Sequence, residues 1–340
     1  MKAVVLVGGE GTRLRPLTET TPKPLLPFLN RPFLHRVLDH LGAHGVDEAI
    51  LSSPYLETEF HAFLAQRDGG PTVTWITEGT PLGTCGAAAG AAAHLHDSFF
   101  VLNGDILTDL DLTALSEFHR GRGAVATIAL TAVDDARPFG LVETDPDGAV
   151  RAFREKPTEP VPGTVNAGTY VLEPRALEGV PRGVAVSIER ETFPSLIRRG
   201  EPVFAFLSED YWRDLGTPES YLAAHVDALE GRLAERPRAP LVGEGAEVED
   251  GASVGPLVVL GAGSRVMRGA AVERSVLHAG VLVEPDAKVE GSILGPGSVV
   301  GSGAQVRGAV LGEGARVEAG VSLEDARVGP GETAGQATPS

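Results

Sequence analysis

Cysteine is almost missing from this sequence. Cys85 is the single one in 340 residues, which excludes an intrachain disulfide and fits a reducing compartment. Long apolar runs are missing too. The opening MKAVVLVGGEG meets glycine after six apolar residues, too few for the core of a secretion signal, and no later run is long enough to span a bilayer. The expected location is the cytoplasm, with no membrane partner. Positive charge is scarce: 29 Lys and Arg face 46 Asp and Glu, a formal charge of −17. That excludes a broad basic face for nucleic acid but still allows a local cationic pocket. The nine histidines show no metal-ligand spacing, and all are expected to be structural or solvated. There is no Gly-x-Ser-x-Gly or Cys–His arrangement of a covalent hydrolase. What is present is 42% hydrophobic residues in periodic order, enough for a packed core and too much chain for one ordinary domain.

Residues 1–235 alternate strand-like and helix-like segments. Lys2–Val7 is a short apolar run ended by glycines, as a buried strand would be. Pro32–His44 carries Phe33, Leu34, Val37, Leu38 and Leu41 at helical spacing, with proline at its start and Gly45 after its end. Ala49–Ser52, Val73–Ile76 and Phe99–Leu102 read as strands, and Leu56–Arg67 and Gly83–His96 as the helices between them. This order predicts an α/β, Rossmann-like fold with a mixed, mostly parallel sheet and with ligands beyond the carboxyl ends of its strands.

After a linker at 236–240 (RPRAP) the pattern changes. Val242, Val248, Val254, Leu260, Val266 and Val272 fall six apart, and Leu277, Val283, Val289, Leu294, Val300, Val306, Leu311, Val317, Leu323 and Val328 continue in steps of six, six and five. Sixteen aliphatics in unbroken register, with small residues between, predict a left-handed parallel β-helix of hexapeptide repeats over 236–330. Each aliphatic is expected to point into the prism. Residues 331–340 are expected to be a frayed tail.

Two motifs carry phosphate chemistry. Gly8, Gly9 and Gly11 follow the first strand, letting the backbone curl so that its N–H groups line an anion pocket. Arg13 adds a planar cation suited to phosphate oxygens. The loop is neither GxGxxG nor a P-loop, and alone it would be a strand–loop with a surface arginine. In Pro22-Lys23-Pro24 the two prolines restrict the backbone and are expected to hold Lys23 out of helix; an isolated lysine of this kind is more often solvated. Asp105 follows the strand Phe99–Leu102 after Asn103-Gly104, where an acid can hold a hard cation. Asp109 and Asp111 precede a helical segment and read better as caps.

GGEGTRLRPLT followed by PKPLLP resembles the sugar-1-phosphate nucleotidyltransferases, which make nucleotide sugars. TEGTPLGTCGA, LNGD, FGLVETD, FREKP, NAGTYVLEP and YWRDLGTPESY match in order, so that with the β-helix the resemblance covers nearly the whole chain. SIERETFP and the NRP after PKPLLP resemble the bacterial mannose-1-phosphate guanylyltransferases that end in a β-helix.

The resemblance implies transfer of a nucleoside monophosphate, GMP from GTP, to a sugar 1-phosphate such as mannose 1-phosphate, with Mg²⁺ as cofactor. It implies Arg13 and Lys23 as catalytic cations on the triphosphate. It places the nucleotide on Leu6, Gly8, Gly9, Gly11, Thr12, Glu78, Pro81, Gly83, Asn103 and Gly104, and the sugar phosphate on Gly140, Glu143, Glu155, Lys156, Asn166 and Gly168. Asp105 and Asp214 would be the metal ligands. Relatives that use thymidine or uridine nucleotides typically have glutamine where Glu78 stands. A carboxylate offers only acceptors, which suits the two adjacent donors of guanine. Glu78 alone would be an exposed loop acid, and Thr80 departs from the guanylyl pattern, where a second glutamate is common. Cys85 reads as a small packing residue. The β-helix implies a homo-oligomer.

Three alternatives stay open: another nucleotide or sugar-like phosphate, a catalytically silent regulatory subunit, and an acyltransferase. The retention of Arg13, Lys23, Asp105 and Asp214 argues against the second. The third usually needs a catalytic histidine on the coils and a long loop, and the tail has only His278 and no such insertion.

Overall fold

The computed structural model describes residues 1–53, 57–154 and 158–335. The chain divides into two compact units, Met1–Gly9 with Leu34–Trp212, and Glu10–Phe33 with Arg213 onward.

The first unit is built on one mixed sheet of nine strands among the described residues. Its first half is β1 (Lys2–Leu6), α1 (Phe33–Ala43), β2 (Glu48–Ser53), α2 (Glu57–Ala65), β3 (Thr72–Thr77), α3 (Gly83–Gly90) and β4 (Phe99–Asn103). Strand β1 lies parallel between β2 and β4, and β3 adds parallel to β2. The second half is α4 (Leu112–Arg122), β5 (Ala126–Val133), β6 (Leu141–Thr144), β7 (Val150–Arg154), β8 (Gly163–Leu172), α5 (Phe193–Arg198) and β9 (Val203–Ser208). Here β8 runs antiparallel to both β4 and β5, while β9 is parallel to β5. The α/β fold with a mixed sheet is therefore as expected.

Burial explains the elements. Leu34, Val37, Leu38 and Leu41 make one buried stripe on α1. In α3 residues 85–89 are all buried, so this alanine-rich helix sits inside the core rather than on it. It ends at Gly90 and is followed by a separate 3₁₀ turn, Ala92–His94, where a single helix to His96 was expected. Helix α4 starts on Asp111, whose carboxylate accepts from Ala114 N–H at 2.9 Å, and stops at Gly123 in the left-handed region. Asp111 is thus the cap expected; Asp109 instead takes Arg36 Nη2 at 2.6 Å. Val4, Ile50, Val101, Ile128, Tyr170, Leu172 and Phe193 meet in the core between sheet and helices.

The second unit holds residues 10–33, helix α6 (Pro218–Leu229) and a parallel β-helix. Three parallel ladders make the three faces of a prism. Leu241–Val242 pair with Val259–Leu260, a step of eighteen residues; Val259–Leu260 pair with Val276–Leu277, a step of seventeen, and the later coils keep that step. The change of period legible in the sequence is the change of coil length. Val266, Val272, Leu277, Val283, Leu294, Val300, Leu311 and Val317 are fully buried along the axis. Two aliphatics depart from the expectation that all point into a closed prism: Val242 is 50% and Val248 45% exposed. They belong to the first coil, which has a neighbour on one side only. Order also extends into the expected frayed tail, since Thr333–Ala334 pair with Arg316–Val317; residues 336–340 lie outside the described residues.

Because each inward aliphatic touches only its own coil and the two beside it, one deletion cannot be relaxed away by distant parts. Leu294→Ala should cost about 2–5 kcal/mol of β-helix stability, read as a lower denaturant midpoint; a shift below about 0.5 kcal/mol would contradict the packing described.

Candidate active site

In the first unit, parallel register brings four strand ends level. Leu6 is the Cα partner of both Ser52 and Asn103, and Ser53 is the partner of Thr77. The backbone bonds continue past the ends: Val7 N–H donates to Ser52 O at 3.2 Å, Glu78 N–H to Ser53 O at 3.0 Å, and Gly104 N–H to Leu6 O at 2.9 Å. Leu6, Gly8, Gly9, Glu78, Asn103, Gly104 and Asp105 are thereby gathered at the carboxyl edge of the sheet, where ligands of such folds sit. Strand β8 brings the opposite wall. Its pairing with β5 is irregular between Asn166 and Tyr170. In that irregularity Gly168 takes a φ of +71° and lies so close to Asn103 that a Cβ would stand 2.8 Å from its Nδ2. Asn166 Oδ1 accepts from Gly168 N–H at 2.9 Å. Leu141 pairs with Val165, so the exposed Glu143 lies on the strand beside Asn166 and Gly140 directly precedes it. Glu155 and Lys156 lie outside the described residues.

Glu78 is not the exposed loop acid that it would be by itself. It is 6% exposed. Its Oε1 accepts from Ser52 Oγ at 2.7 Å and its Oε2 from Leu82 N–H at 2.9 Å. The carboxylate closes the loop 78–82 on itself; each oxygen retains a second lone-pair direction. Pro81 is exposed at the tip of that loop, and Gly83 enters α3 with a φ of +66°, where a Cβ would stand 2.8 Å from Val186 O. Cys85 is fully buried, and burial pushes its thiol up, as a packing residue requires.

The second unit holds the cations. Gly11, with φ +63°, leads into a 3₁₀ turn, Thr12–Leu14, that leaves Thr12 and Arg13 exposed and Leu14 buried. Lys23 was expected to stay out of helix. It instead opens a single 3₁₀ turn, Lys23–Leu25, because Pro24 in a first turn needs no N–H partner. The Lys23 side chain is only 10% exposed, and its Nζ lies 4.0 Å from Asp214 Oδ1. Arg13 Nη2 lies 4.0 Å from Asp214 Oδ2. Both separations exceed hydrogen-bond length, so the cations flank the carboxylate rather than close on it. A Cβ on Gly216 would stand 2.6 Å from Arg13 Nη2 and 2.9 Å from Asp214 Oδ1, so glycine there is what lets the group assemble. Arg13, Lys23 and Asp214, far apart in sequence, are thus one cluster.

Several residues that sequence reasoning passed over hold this cluster. Arg327, on a late coil, donates to Arg13 O at 3.3 Å and Arg15 O at 3.1 Å. Asn30 Nδ2 donates to Leu260 O at 2.8 Å. Beneath lie three buried rings. The Tyr221 hydroxyl donates to Pro27 O, and His278 Nε2 stands 3.0 Å from the same hydroxyl. His225 accepts Leu29 N–H on Nε2 at 3.3 Å and meets Tyr221 O through Nδ1 at 2.9 Å, so it is neutral with its proton on Nδ1. Burial lowers His225 to about 4 and His278 to about 3, the latter with help from His225. The only sequence sign of these groups was a histidine inside an aliphatic coil.

The two depressed histidines make stability depend on pH. Their folded values lie below the ordinary 6.5, so the unfolded chain takes up protons first as pH falls, and stability drops between about 6.5 and 4. Each should contribute a slope of up to about 1.4 kcal/mol per pH unit. Urea midpoints measured from pH 7 to pH 4.5 should fall, and His278→Asn should flatten the dependence by about half; parallel curves would contradict the assignment.

Family comparison agrees with this geometry. The nucleotidyl transferase family model matches residues 2–231 and the GMPPB C-terminal domain model matches residues 238–337. A mannose-1-phosphate guanylyltransferase of Mycobacterium tuberculosis is 42% identical over 275 residues, covering 79% of this chain and 76% of its own length. Mannose-1-phosphate guanylyltransferase 1 of Arabidopsis thaliana is 36% identical over 291 residues, covering 81% of this chain and 80% of its own. Among solved structures, HddC from Yersinia pseudotuberculosis complexed with GMP-PN is 31% identical with a TM-score of 0.59, covering 66% of this chain and 97% of that one. With its parallel strand ends, its glycine loop and its flanked carboxylate, this chain is a nucleotidyltransferase and belongs to the nucleotidyl transferase family.

Proposed function

We propose that this enzyme transfers GMP from GTP to mannose 1-phosphate, releasing pyrophosphate. The observation that carries the reading is the gathering of Arg13 and Lys23 around Asp214 on one short, braced segment. The guanylyltransferase names of its relatives support the choice of GTP and mannose 1-phosphate. Residues 1–235 form the catalytic domain on this reading, and 236–330 the β-helix.

The chemistry needs no protein nucleophile. An oxygen of the sugar phosphate attacks the α-phosphorus, the bond to the β-phosphate oxygen breaks, and pyrophosphate leaves in line. The demand is to bring two polyanions together and to stabilise the charge that builds on the leaving group. Arg13 and Lys23 are assigned to the triphosphate and the departing pyrophosphate. The loop Leu6, Gly8, Gly9, Gly11 and Thr12 would cradle phosphates with its N–H groups. Glu78, Pro81 and Gly83 would line the base, Glu78 through lone pairs left over from Ser52 and Leu82. Asn103 and Gly104 would lie beneath the nucleotide. Gly140, Glu143, Asn166 and Gly168 would contact the sugar, with Glu155 and Lys156, by resemblance, at its hydroxyls and phosphate.

Asp105 and Asp214 would hold Mg²⁺. Their oxygens are hard donors of the kind it takes. Among the described residues no group of three or more His, Cys, Asp or Glu could hold a metal ion, so the rest of its shell would be phosphate and water oxygens. When bound, the cation supplies electrostatic polarisation of the α-phosphate. The open first coil, with Val242 and Val248 exposed, supports a homo-oligomer. No helix among the described residues is long and apolar enough to cross a membrane, and a cytoplasmic location is proposed.

Pyrophosphate release with Mg²⁺, measured for each of five nucleoside triphosphates against a panel of sugar phosphates, should be selective for GTP with mannose 1-phosphate. Arg13→Ala and Lys23→Ala should each lower kcat by roughly 10²-fold or more with melting temperatures within a few degrees of wild type. Turnover with another pair would move the substrate. Unchanged kcat in both variants would remove the catalytic assignment.

A further inference from the structure

We propose that Glu189 is a positioning residue that ties the loop assigned to the base to the wall assigned to the sugar, so that each substrate tightens the binding of the other. The inference rests on the function proposed above.

Glu189 stands on the wide turn Ile188–Thr192, which none of the assigned roles uses. Its two carboxylate oxygens face different parts of the first unit. Oε2 accepts from Thr84 Oγ1 at 3.0 Å and from Ser187 Oγ at 2.8 Å. Oε1 accepts from the Tyr170 hydroxyl at 3.0 Å. Thr84 follows Gly83 directly, at the entrance of α3, and its hydroxyl also accepts from Ile188 N–H at 2.7 Å. The same entrance is stapled by backbone: Cys85 N–H donates to Val186 O and Val186 N–H to Leu82 O, both at 2.9 Å. Leu82 in turn donates its N–H to Glu78. Any shift of the loop 78–83 must therefore pull on residues 186–189.

The other oxygen leads to the opposite wall. The Tyr170 oxygen accepts from Asn166 Nδ2 at 2.7 Å, and Asn166 Oδ1 accepts from Gly168 N–H at 2.9 Å. Gly168 packs on Asn103 at the end of β4. The route from Thr84 to the Gly168 N–H runs through the side chains of Glu189, Tyr170 and Asn166, and it branches at Glu189.

The chemistry of that branch point sets the direction of the whole chain of bonds. An ionised carboxylate accepts and cannot donate. Tyr170 is fully buried, and burial together with the neighbouring Glu189 charge holds its phenol well above the usual range, so it keeps its proton and gives it to Oε1. The phenol oxygen is then left to accept from Asn166. That choice turns the amide so that its oxygen faces Gly168, with one N–H and one lone pair remaining for a substrate hydroxyl. A glutamine at 189 has one donor and one acceptor and removes the constraint: the bond to Tyr170 can run either way, and with it the orientation of Asn166. A residue needed only to close its own turn would require Ser187 alone; the reach to β8 and α3 together is what points to coupling. Buried networks of this kind act as units.

The test is calorimetric titration of the α,β-methylene analogue of GTP, with and without saturating mannose 1-phosphate, on the full chain with Mg²⁺. Wild type should show the sugar phosphate tightening analogue binding by about fivefold or more. Tyr170→Phe keeps the ring against Phe193 and removes the link; Glu189→Gln keeps the shape and removes the direction. In both, the ratio should collapse to within about twofold of one, while binding of the analogue alone stays within about threefold of wild type. A merely structural role would lower the melting temperature and leave the ratio in place. A wild-type ratio of one, or a ratio retained in either folded variant, overturns the inference alone, provided that wild type turns over GTP and mannose 1-phosphate. Wild type that binds neither probe overturns the functional reading and the coupling with it.

Discussion

The feature on which the rest of the second unit depends is the tethering of residues 10–33 by hydrogen bonds to the β-helix and to helix α6. Arg327 takes the carbonyls of Arg13 and Arg15, Leu260 O takes Asn30, and Tyr221 takes Pro27 O. The bonds from Arg327 and Tyr221 act on the main chain, so they fix where the segment runs while leaving the Arg13 and Lys23 side chains beside Asp214. Each of the two cations stands 4.0 Å from an oxygen of that carboxylate. A segment dense in proline has little helix or sheet of its own to keep that geometry. The β-helix, whose coils stack in strict register, provides it.

In the first unit carboxylates do comparable work. Glu78 closes the loop 78–82 by accepting from Ser52 and Leu82, and Glu189 joins α3 to β8. Acceptor-only groups organise donors around them without ambiguity of direction. That gives a practical reason for acids at two places where an amide would fill the same space. It also changes how Glu78 is read: its contribution to base choice on the proposed function is joined to holding the loop that presents it.

Much of the fold was legible because its signals are periodic. The alternating strand and helix patterns of residues 2–103 and the six-six-five spacing of the tail both reappear, the latter down to the change from eighteen-residue to seventeen-residue coils. Local packing decided what periodicity could not. The alanine run of α3 has no polar face to mark its end, so its break at Gly90 was invisible. The first coil's valines obey the repeat but lack a neighbour on one side, so their exposure was invisible too. At the site, residue types in a recognisable order pointed to Arg13, Lys23, Asp105 and Asp214. His225, His278 and Arg327 carry no such motif, and Tyr221 and Glu189 stand inside recognisable motifs that gave them no role. Their importance comes from long-range contacts, such as the 314 residues between Arg13 and Arg327, which spacing along the chain cannot reveal.

The account's central claim is that the β-helix holds the cation-bearing segment in a working position. Steady-state pyrophosphate release by Arg327→Ala tests it most directly, since Arg327 touches only backbone oxygens of that segment among the bonds described. The account predicts kcat reduced roughly tenfold, of the size expected for losing one or two hydrogen bonds that fix a catalytic group, with the KM for sugar phosphate and the melting temperature nearly unchanged. A variant with wild-type kcat would show that residues 10–33 keep their geometry without the β-helix, and would contradict the claim.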